Sequence, residues 1–333
     1  MKLIKTKYTN IKLCKGIYID EVKQIIRKGE TGISTAISGL KWYLLPKGRA
    51  IFKSFEGPVY KDIRLIRIAN ELLCQELAKQ VEVDCAVYQP ATHQGINGLL
   101  SFDVTGKNEE LISGFKLHEL AYGDDLEFAP NNELNSYIPA LKELQKMGFK
   151  FNLKEVIFNL YKIAVFDSLT AQSDRHIENT FFIINLKAKT VKVAPLIDNE
   201  LAFNAENETR LAKNFPIGKL EINKQVNNIS KQLVITEPCT HLQKTYDKNL
   251  AHIVALANIN PELKQILFDM IRNYNLDKAI SEVERKGTIL SPSYKKYLLT
   301  LNKVVLTKYK KELVTKKANP LEITGDYSNI INL

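Results

Sequence analysis

Short runs of aromatic and other apolar residues, separated by polar and turn residues, give the first half of the chain a strand-like character. Lys41–Leu45 (KWYLL) and Arg49–Phe55 (RAIFKSF) flank the turn sequence Pro46-Lys47-Gly48, which predicts a hairpin. Two further short strands are predicted at Ala86–Tyr88 and Gly98–Val104. The first third of the chain is therefore expected to form a small β-sheet.

Helical spacing of apolar residues appears between these strands and dominates the rest of the chain. Residues 62–80 carry apolar side chains along one helix face, and Leu134–Met147, Leu153–Leu169 and Tyr294–Val314 show a similar pattern. A β-rich interruption at Thr180–Ile197 predicts a second hairpin within the helical part. The sequence thus predicts strands with one helix, followed by helices with one hairpin.

This order of elements predicts an α+β protein with two lobes. Residues 1–104 would form a small β-rich N-lobe, and residues 105–333 a larger, mostly helical C-lobe. A single packed core rarely extends over 333 residues, which also favours two lobes.

The chain is basic, with 47 Lys and Arg residues against 37 Asp and Glu residues and a formal net charge of +10. Such a charge can attract nucleic acid, anionic lipid or phosphate-rich ligands. Because the lysines are spread along the chain, a solvated basic surface is favoured and direct nucleic-acid binding is not expected. The Leu and Val stripe of the basic Tyr294–Val314 helix favours packing on the C-lobe over a membrane-surface or partner helix.

The cysteines and the apolar runs indicate the compartment. Cys14, Cys74, Cys85 and Cys239 are far apart and form no CxxC pair, which argues against a zinc site or a disulfide framework. The N-terminus has no unbroken apolar core of a signal peptide. No run approaches the roughly 18 apolar residues of a membrane helix. We therefore expect a cytoplasmic protein without membrane insertion.

The strongest candidate chemistry lies in Ala171–Ile184, AQSDRHIENTFFII, where Asn179 follows Asp174 by five positions. Protein kinases use this spacing, with the Asp orienting the attacking hydroxyl and the Asn offering an oxygen to a metal. Asp198 follows the predicted hairpin, at the place of the metal-binding Asp of D-F-G, although Asn and Glu replace the Phe and Gly. The alternative is that Asp174 and Asn179 cap a turn and Asp198 caps a helix.

Lys53 lies within an apolar strand, where an inward-pointing ammonium group could pair with ATP phosphates. On the following helix, Glu71 or Glu76 could hold this lysine, and Glu71 is preferred. Lys41 and Lys47 are competing candidates for the lysine. The alternative is a solvated lysine at a strand edge.

The segment Gly29–Gly39 is rich in glycine and hydroxyl residues and is a candidate phosphate-covering loop. Ser34, Thr35 and Ser38 are its candidate ligand contacts and also candidate phosphorylation sites. The segment matches neither G-x-G-x-x-G nor the P-loop pattern, so an ordinary linker is an equal alternative.

Two further candidates depend on position along the chain. Leu99–Asp103 lies where a hinge would offer backbone groups to adenine, which makes Ser101 and Phe102 candidate nucleotide contacts. His176 is a candidate acid or base, although within DRHxxN the more frequent role is to order the loop. The other histidines show no metal-ligand spacing.

The stretch FDSLTAQSDRHIENTFFI, followed by VAPLIDNE, resembles the HipA-like Ser/Thr kinases. Because little sequence precedes the ATP lobe, it is most similar to their short HipT-like and CtkA-like members. The segment IFKSF and the pair Asn70-Glu71 are similar to the family's ATP-lysine strand and the helix after it. The residues that match the two catalytic motifs are Asp167, Leu169, Asp174, Arg175, His176, Asn179, Ala194, Pro195 and Asp198.

The resemblance implies a two-lobed protein-kinase-like fold that transfers the γ-phosphate of ATP, with Mg²⁺, to a Ser or Thr of a protein substrate. In it Asp174 would be the catalytic base, Asn179 and Asp198 would bind Mg²⁺, and Lys53 would bind ATP. Some members are toxins held by an antitoxin and others are secreted effectors, so an antitoxin partner or export without a signal peptide is also implied. The chain departs from the family at Gln172-Ser173, where an Asn is usual, and in its glycine loop.

Two other functions share these residues. A kinase of lipids or small molecules would use the same ATP machinery and differ in its acceptor groove. A pseudokinase would bind ATP without transferring phosphate. Such proteins commonly lose one of the catalytic residues, whereas this chain keeps all four, Lys53, Asp174, Asn179 and Asp198.

Overall fold

The computed structural model describes residues 12–13, 17–18, 24–25, 41–45, 48–53, 64–93, 96–123, 134–172, 174–203 and 246–315. The predicted Gly29–Gly39 loop, with Ser34, Thr35 and Ser38, lies outside the described residues, as do Lys47, Cys14 and Cys239.

Eleven strands and eight helices form the described part of the chain. The strands are β1 Lys12–Leu13, β2 Ile17–Tyr18, β3 Gln24–Ile25, β4 Lys41–Leu45, β5 Gly48–Lys53, β6 Tyr88–His93, β7 Ile96–Phe102, β8 Glu110–Ser113, β9 Phe181–Asn185, β10 Thr190–Val193 and β11 Thr288–Ile289. The helices are α1 Arg64–Gln80, α2 Gly114–Tyr122, α3 Leu134–Lys146, α4 Leu153–Leu169, α5 Tyr246–Ile259, α6 Pro261–Asn273, α7 Leu276–Arg285 and α8 Pro292–Thr315.

Both predicted hairpins are confirmed. β4 and β5 pair antiparallel from Lys41↔Phe52 to Leu45↔Gly48, and Gly48 adopts a φ of 125°, which favours glycine. β9 and β10 also pair antiparallel and join β8 in a three-stranded sheet. The first hairpin belongs to a six-stranded sheet of order β2-β6-β7-β5-β4-β3.

Two predicted strand positions are wrong at their ends. The strand predicted at Ala86–Tyr88 is β6, which starts at Tyr88. Ala86 lies outside the sheet because its N–H donates to the carbonyl of Leu196. The strand predicted at Gly98–Val104 is β7, which ends at Phe102. The chain turns there because the Asp103 carboxylate accepts a hydrogen bond from the Thr105 N–H at 2.9 Å. Four predicted helices are confirmed, with ends shifted by at most two residues: 62–80, 134–147, 153–169 and 294–314.

The two faces of the six-stranded sheet carry different cores. Tyr43, Ala50, Phe52 and Leu100 pack in a small cluster on one face. Because side chains alternate along a strand, Lys53 points to the opposite face, where α1 lies. This alternation brings the Lys53 ammonium group to α1.

The main core joins α1 to the helices of the second half of the chain. It contains Leu73 and Leu77 of α1, Phe166 of α4, and Leu298 and Leu301 of α8. The Leu and Val stripe of α8 thus packs on the helical part, as predicted. β1 also pairs with β11 near α8.

The lobe boundary at residue 104 stays a prediction. No helix in these described segments is long and apolar enough to cross a bilayer.

Candidate active site

Arg175 is the buried centre of the segment that follows α4. Its guanidinium group binds both carboxylate oxygens of Asp167, at 3.1 and 3.3 Å. Its Nη1 donates to the carbonyls of Asn179 and Ile197, each at 2.9 Å, and its Nη2 donates to Asn199 Oδ1 at 2.7 Å. One side chain therefore fixes the segment containing Asp174 and Asn179 beside the segment containing Asp198.

Asp174 and Asn179 are in direct contact. The Asn179 Nδ2 donates to the Asp174 carbonyl at 2.9 Å and to Asp174 Oδ2 at 3.2 Å. The amide nitrogen therefore faces Asp174 and the amide oxygen faces away. The Asp174 N–H donates to Gln172 Oε1 at 3.1 Å, and the Asp174 carboxylate is partly exposed. This aspartate is thus held in place but reachable from solvent.

His176 lies beside Asp174 at the surface of the same segment. Its Nε2 is 3.9 Å from Asp174 Oδ1, and its Nδ1 accepts a hydrogen bond from the Glu178 N–H at 3.2 Å. Its carbonyl accepts hydrogen bonds from the Asn179 N–H and from the Thr180 hydroxyl. Most of these contacts order the segment.

Lys53 connects α1 to the segment after the β9–β10 hairpin. Its Nζ is 3.1 Å from Glu71 Oε1 and 2.8 Å from Asp198 Oδ1. Glu76, the other carboxylate considered on α1, is instead paired with Lys79 and Lys286. Lys41 lies in β4, one strand away from Lys53 in the sheet.

Glu71 also holds the backbone after Asp198. Its Oε2 accepts a hydrogen bond from the Asn199 N–H at 2.9 Å, and its side chain is fully buried. Asp198 has a φ of 63°, a conformation that costs free energy in a non-glycine residue and is often found at functional sites. The Asp198 N–H donates to the Tyr88 hydroxyl at 3.2 Å. These contacts stabilise the strained conformation that directs the Asp198 carboxylate towards Lys53.

Charges in this cluster shift each other's protonation. Burial disfavours the charged form of Lys53, but the carboxylates of Asp198, Glu71 and Glu200 outweigh it and raise the pKa of the lysine above its usual value. Burial also opposes ionisation of Asp198, but Lys53, followed by Arg175 and Arg67, lowers its pKa below the usual value. At neutral pH the Lys53–Asp198 contact is therefore an ion pair.

Glu200 is a site residue that the sequence analysis did not select. One oxygen from each of Glu71, Asp198 and Glu200 lies within 4.8 Å of the others. Arg67 of α1 binds Glu200 Oε1 at 2.7 Å. Burial and the Asp198 charge raise the pKa of Glu200 to about 8. Only the proximity of Glu200 to Asp198 in the sequence could have indicated this residue. The D-F-G motif has a glycine at the position of Glu200 and so assigns no role to a carboxylate at that position.

The oxygen donors at this site fit a magnesium ion. Mg²⁺ prefers hard oxygen ligands, usually one or two carboxylates together with water and phosphate oxygens. The Asp198 carboxylate is 37% exposed and so can coordinate a metal ion. The Asn179 amide oxygen accepts no hydrogen bond from the described residues, so it can also coordinate the ion.

The candidate hinge residues lie at the end of β7. Ser101 is opposite Ile51 of β5 and Tyr88 of β6, and Phe102 is opposite Ala50. The Phe102 N–H donates to the Val87 carbonyl at 3.0 Å, so this N–H is already used within the protein. Contacts of Ser101 and Phe102 with adenine stay a prediction.

The solved structures give a clear match to this fold. A crystal structure of the Helicobacter pylori proinflammatory kinase CtkA matches with a TM-score of 0.67 and 16% sequence identity, over 93% of this chain and 100% of that chain. The chain has the fold of this kinase. The α+β, kinase-like fold class is thereby confirmed, and so, at the level of the fold, is the resemblance to short CtkA-like kinases.

A second solved structure is less similar. It contains Shewanella oneidensis MR-1 HipA with HipB and operator DNA, and it matches with a TM-score of 0.43 and 13% identity, over 79% of this chain and 57% of that chain. Neither a protein-family model nor a curated protein matches the sequence. The likeness to CtkA is therefore shown by the fold alone.

Proposed function

We propose that this protein is an ATP-dependent Ser/Thr protein kinase that uses Mg²⁺. The observation that carries the proposal is the position of Lys53, whose ammonium group binds both Glu71 of α1 and Asp198. Kinases need such a lysine, held by a glutamate, beside the metal-binding Asp. The CtkA-like fold is the second support.

In this proposal each residue of the cluster has a separate task. Lys53 binds ATP phosphates as a localised positive charge, and Glu71 keeps its ammonium group in position. Asp198 and the amide oxygen of Asn179 would hold Mg²⁺, which would neutralise phosphate charge.

Asp174 acts on the acceptor. Its carboxylate orients the Ser or Thr hydroxyl and accepts the hydroxyl proton, while a bond forms between the hydroxyl oxygen and the γ-phosphorus. The bond from the γ-phosphorus to the bridging oxygen breaks, and ADP leaves with that electron pair. The Asn179 Nδ2 holds the carboxylate in place for this step. His176 is a positioning residue, since its main contacts order the backbone around Asp174.

The remaining assignments rest on the sequence alone. Ser34, Thr35 and Ser38 are proposed to cover the phosphates, and Ser101 and Phe102 to lie against adenine. A protein acceptor and an antitoxin partner are likewise proposals, and the acceptor would bind at the partly exposed side of Asp174.

The test is transfer of radiolabelled γ-phosphate in the presence of Mg²⁺ to the protein itself and to a bacterial lysate. Wild type, Asp174→Asn and Glu178→Gln are compared. Glu178 is an exposed carboxylate four positions from Asp174, so Glu178→Gln is a matched control for loss of one charge in this segment. We expect labelled protein bands with wild type and Glu178→Gln, and none with Asp174→Asn.

The other outcomes contradict the proposal in different ways. Label found only on lipids or small molecules would identify a small-molecule kinase. ATP binding without transfer in several lysates would identify a pseudokinase. Label retained on protein by Asp174→Asn would exclude Asp174 as the base.

A further inference from the structure

The segment that follows Asp198 is held by residues far away in the sequence. The Asn70 Nδ2 on α1 donates to the carbonyls of Glu200 and Ala202, each at 2.9 Å. Both amide hydrogens of Asn70 are thus used on the segment Glu200–Phe203. Asn70 itself is fully buried, so its amide oxygen also needs a donor.

Tyr294 of α8 supplies that donor. Its hydroxyl group donates a hydrogen bond to Asn70 Oδ1, across 224 positions of sequence. An Asn side chain can rotate its oxygen and nitrogen into each other's places. The tyrosine hydroxyl favours the orientation in which Nδ2 faces the two carbonyls, because only the amide oxygen accepts a hydrogen bond. Tyr294 therefore stabilises both hydrogen bonds that Asn70 makes to the segment.

Tyr297, one helical turn further along α8, binds the same segment directly. Its hydroxyl donates to the Phe203 carbonyl at 2.8 Å, and its ring stacks on that of Tyr294 with centroids 6.1 Å apart. Phe203 has a φ of 59° and Asp198 a φ of 63°, so the stretch from Asp198 to Phe203 begins and ends with a left-handed residue. Two strained ends need external contacts to keep one conformation.

We propose that Tyr294 and Tyr297 are positioning residues for Asp198. They fix Glu200–Phe203, directly and through Asn70, so the position of α8 sets the conformation of the proposed metal-binding carboxylate. The link to metal rests on the proposed function; the structural link does not. The hydroxyl groups of the two tyrosines bind Asn70 and the Phe203 carbonyl, so both residues act on Asp198 through the segment.

The test is amide hydrogen exchange of the full chain without nucleotide. Tyr294→Phe and Tyr297→Phe each remove one hydroxyl and keep the stacked rings. Tyr161→Phe is the matched control, because the Tyr161 hydroxyl is equally buried and donates to a backbone carbonyl, that of Ile253, between α4 and α5. The exchange of β9 serves as the internal reference for global destabilisation.

We expect residues 196–203 to exchange about three- to tenfold faster in Tyr294→Phe and Tyr297→Phe, the effect of losing one buried hydrogen bond. Exchange in β9 should change less, and Tyr161→Phe should leave residues 196–203 as in wild type. Equal acceleration in β9, or no acceleration in either α8 variant, would overturn the proposal.

Phosphotransfer gives a second readout. If wild type transfers phosphate, Tyr294→Phe should need a several-fold higher Mg²⁺ concentration for half-maximal rate, and an unchanged requirement would overturn the link to metal. If wild type transfers no phosphate, the proposed function fails, while the exchange experiment still decides whether α8 holds the segment.

Discussion

The Arg175 guanidinium group and the Asp167 carboxylate form a buried two-point contact, with N–O distances of 3.1 and 3.3 Å. Their side chains are only 2% and 1% exposed. Because Arg175 also binds the backbone carbonyls of Asn179 and Ile197, this pair supports the position of Asp174 as well as that of Asp198. A contact in the core thus supports the geometry of the partly exposed Asp174 and Asp198 carboxylates.

Removing one partner of this pair should strongly destabilise the protein. Asp167→Asn leaves a buried guanidinium group without its counter-charge, which costs about 3–5 kcal/mol in comparable sites. The measurement is the urea midpoint of unfolding. Asp269→Asn is the control, since Asp269 pairs with Arg272 at an exposed position and its loss should leave the midpoint unchanged. A midpoint for Asp167→Asn equal to that of the control would contradict the prediction.

The two candidate catalytic aspartates should separate transfer from binding. Asp174→Ala should lower phosphotransfer by about 10²- to 10⁴-fold, the usual effect of a general base, and leave ATP affinity nearly unchanged. Asp198→Ala should weaken the binding of ATP in the presence of Mg²⁺, because it removes a proposed metal ligand. Calorimetric titration with and without Mg²⁺ measures both. If folded Asp174→Ala loses ATP binding, or Asp198→Ala keeps its affinity, the assigned roles are wrong.

Local spacing made part of this site predictable. Asp174, Asn179 and Asp198 lie around one short hairpin, so their separation in sequence reports their proximity. Lys53 is a candidate because of its apolar strand together with the kinase-like motifs later in the chain. Such patterns are visible because each depends on neighbouring residues.

Long-range contacts left no comparable pattern. The Tyr294–Asn70 bond spans 224 positions, and Lys286 reaches Glu76 across 210. Nothing near Tyr294 in the sequence distinguishes it from a tyrosine that only packs in the core. The start of β6 was misplaced for a similar reason, since Ala86 binds Leu196, which is 110 positions away.

Glu71 and Glu76 allow a sharp test of the lysine partner. Glu71→Gln keeps the shape of the side chain but removes the charge that binds Lys53, and Glu76→Gln makes the same change five positions further along α1. Losing a hydrogen bond to a charged group costs about 1.5–3 kcal/mol, so Glu71→Gln should weaken ATP binding roughly ten- to hundredfold. Glu76→Gln should bind ATP as wild type does. Equal ATP affinities for the two variants would show that Glu71 has no specific role in ATP binding.

His118 gives the protein a specific sensitivity to acid. It lies in α2 between the rings of Tyr122 and Tyr137, and within the described residues its Nε2 has no hydrogen-bond partner. Burial lowers its pKa to about 4 from an ordinary 6.5. Below pH 6.5 the unfolded chain therefore binds a proton at this residue that the folded chain does not bind, and stability falls with the pH until about pH 4.

This linkage predicts that His118 contributes a loss of about 2 kcal/mol of unfolding free energy between pH 7 and pH 5. His118→Phe keeps an aromatic ring between Tyr122 and Tyr137 and removes the titration, so its stability should decrease less over this range. The measurement is urea unfolding of both proteins at pH 7, 6 and 5. Because other groups titrate equally in both proteins, the difference between the two curves isolates His118. Parallel curves would show that His118 is not held neutral by burial in the folded protein.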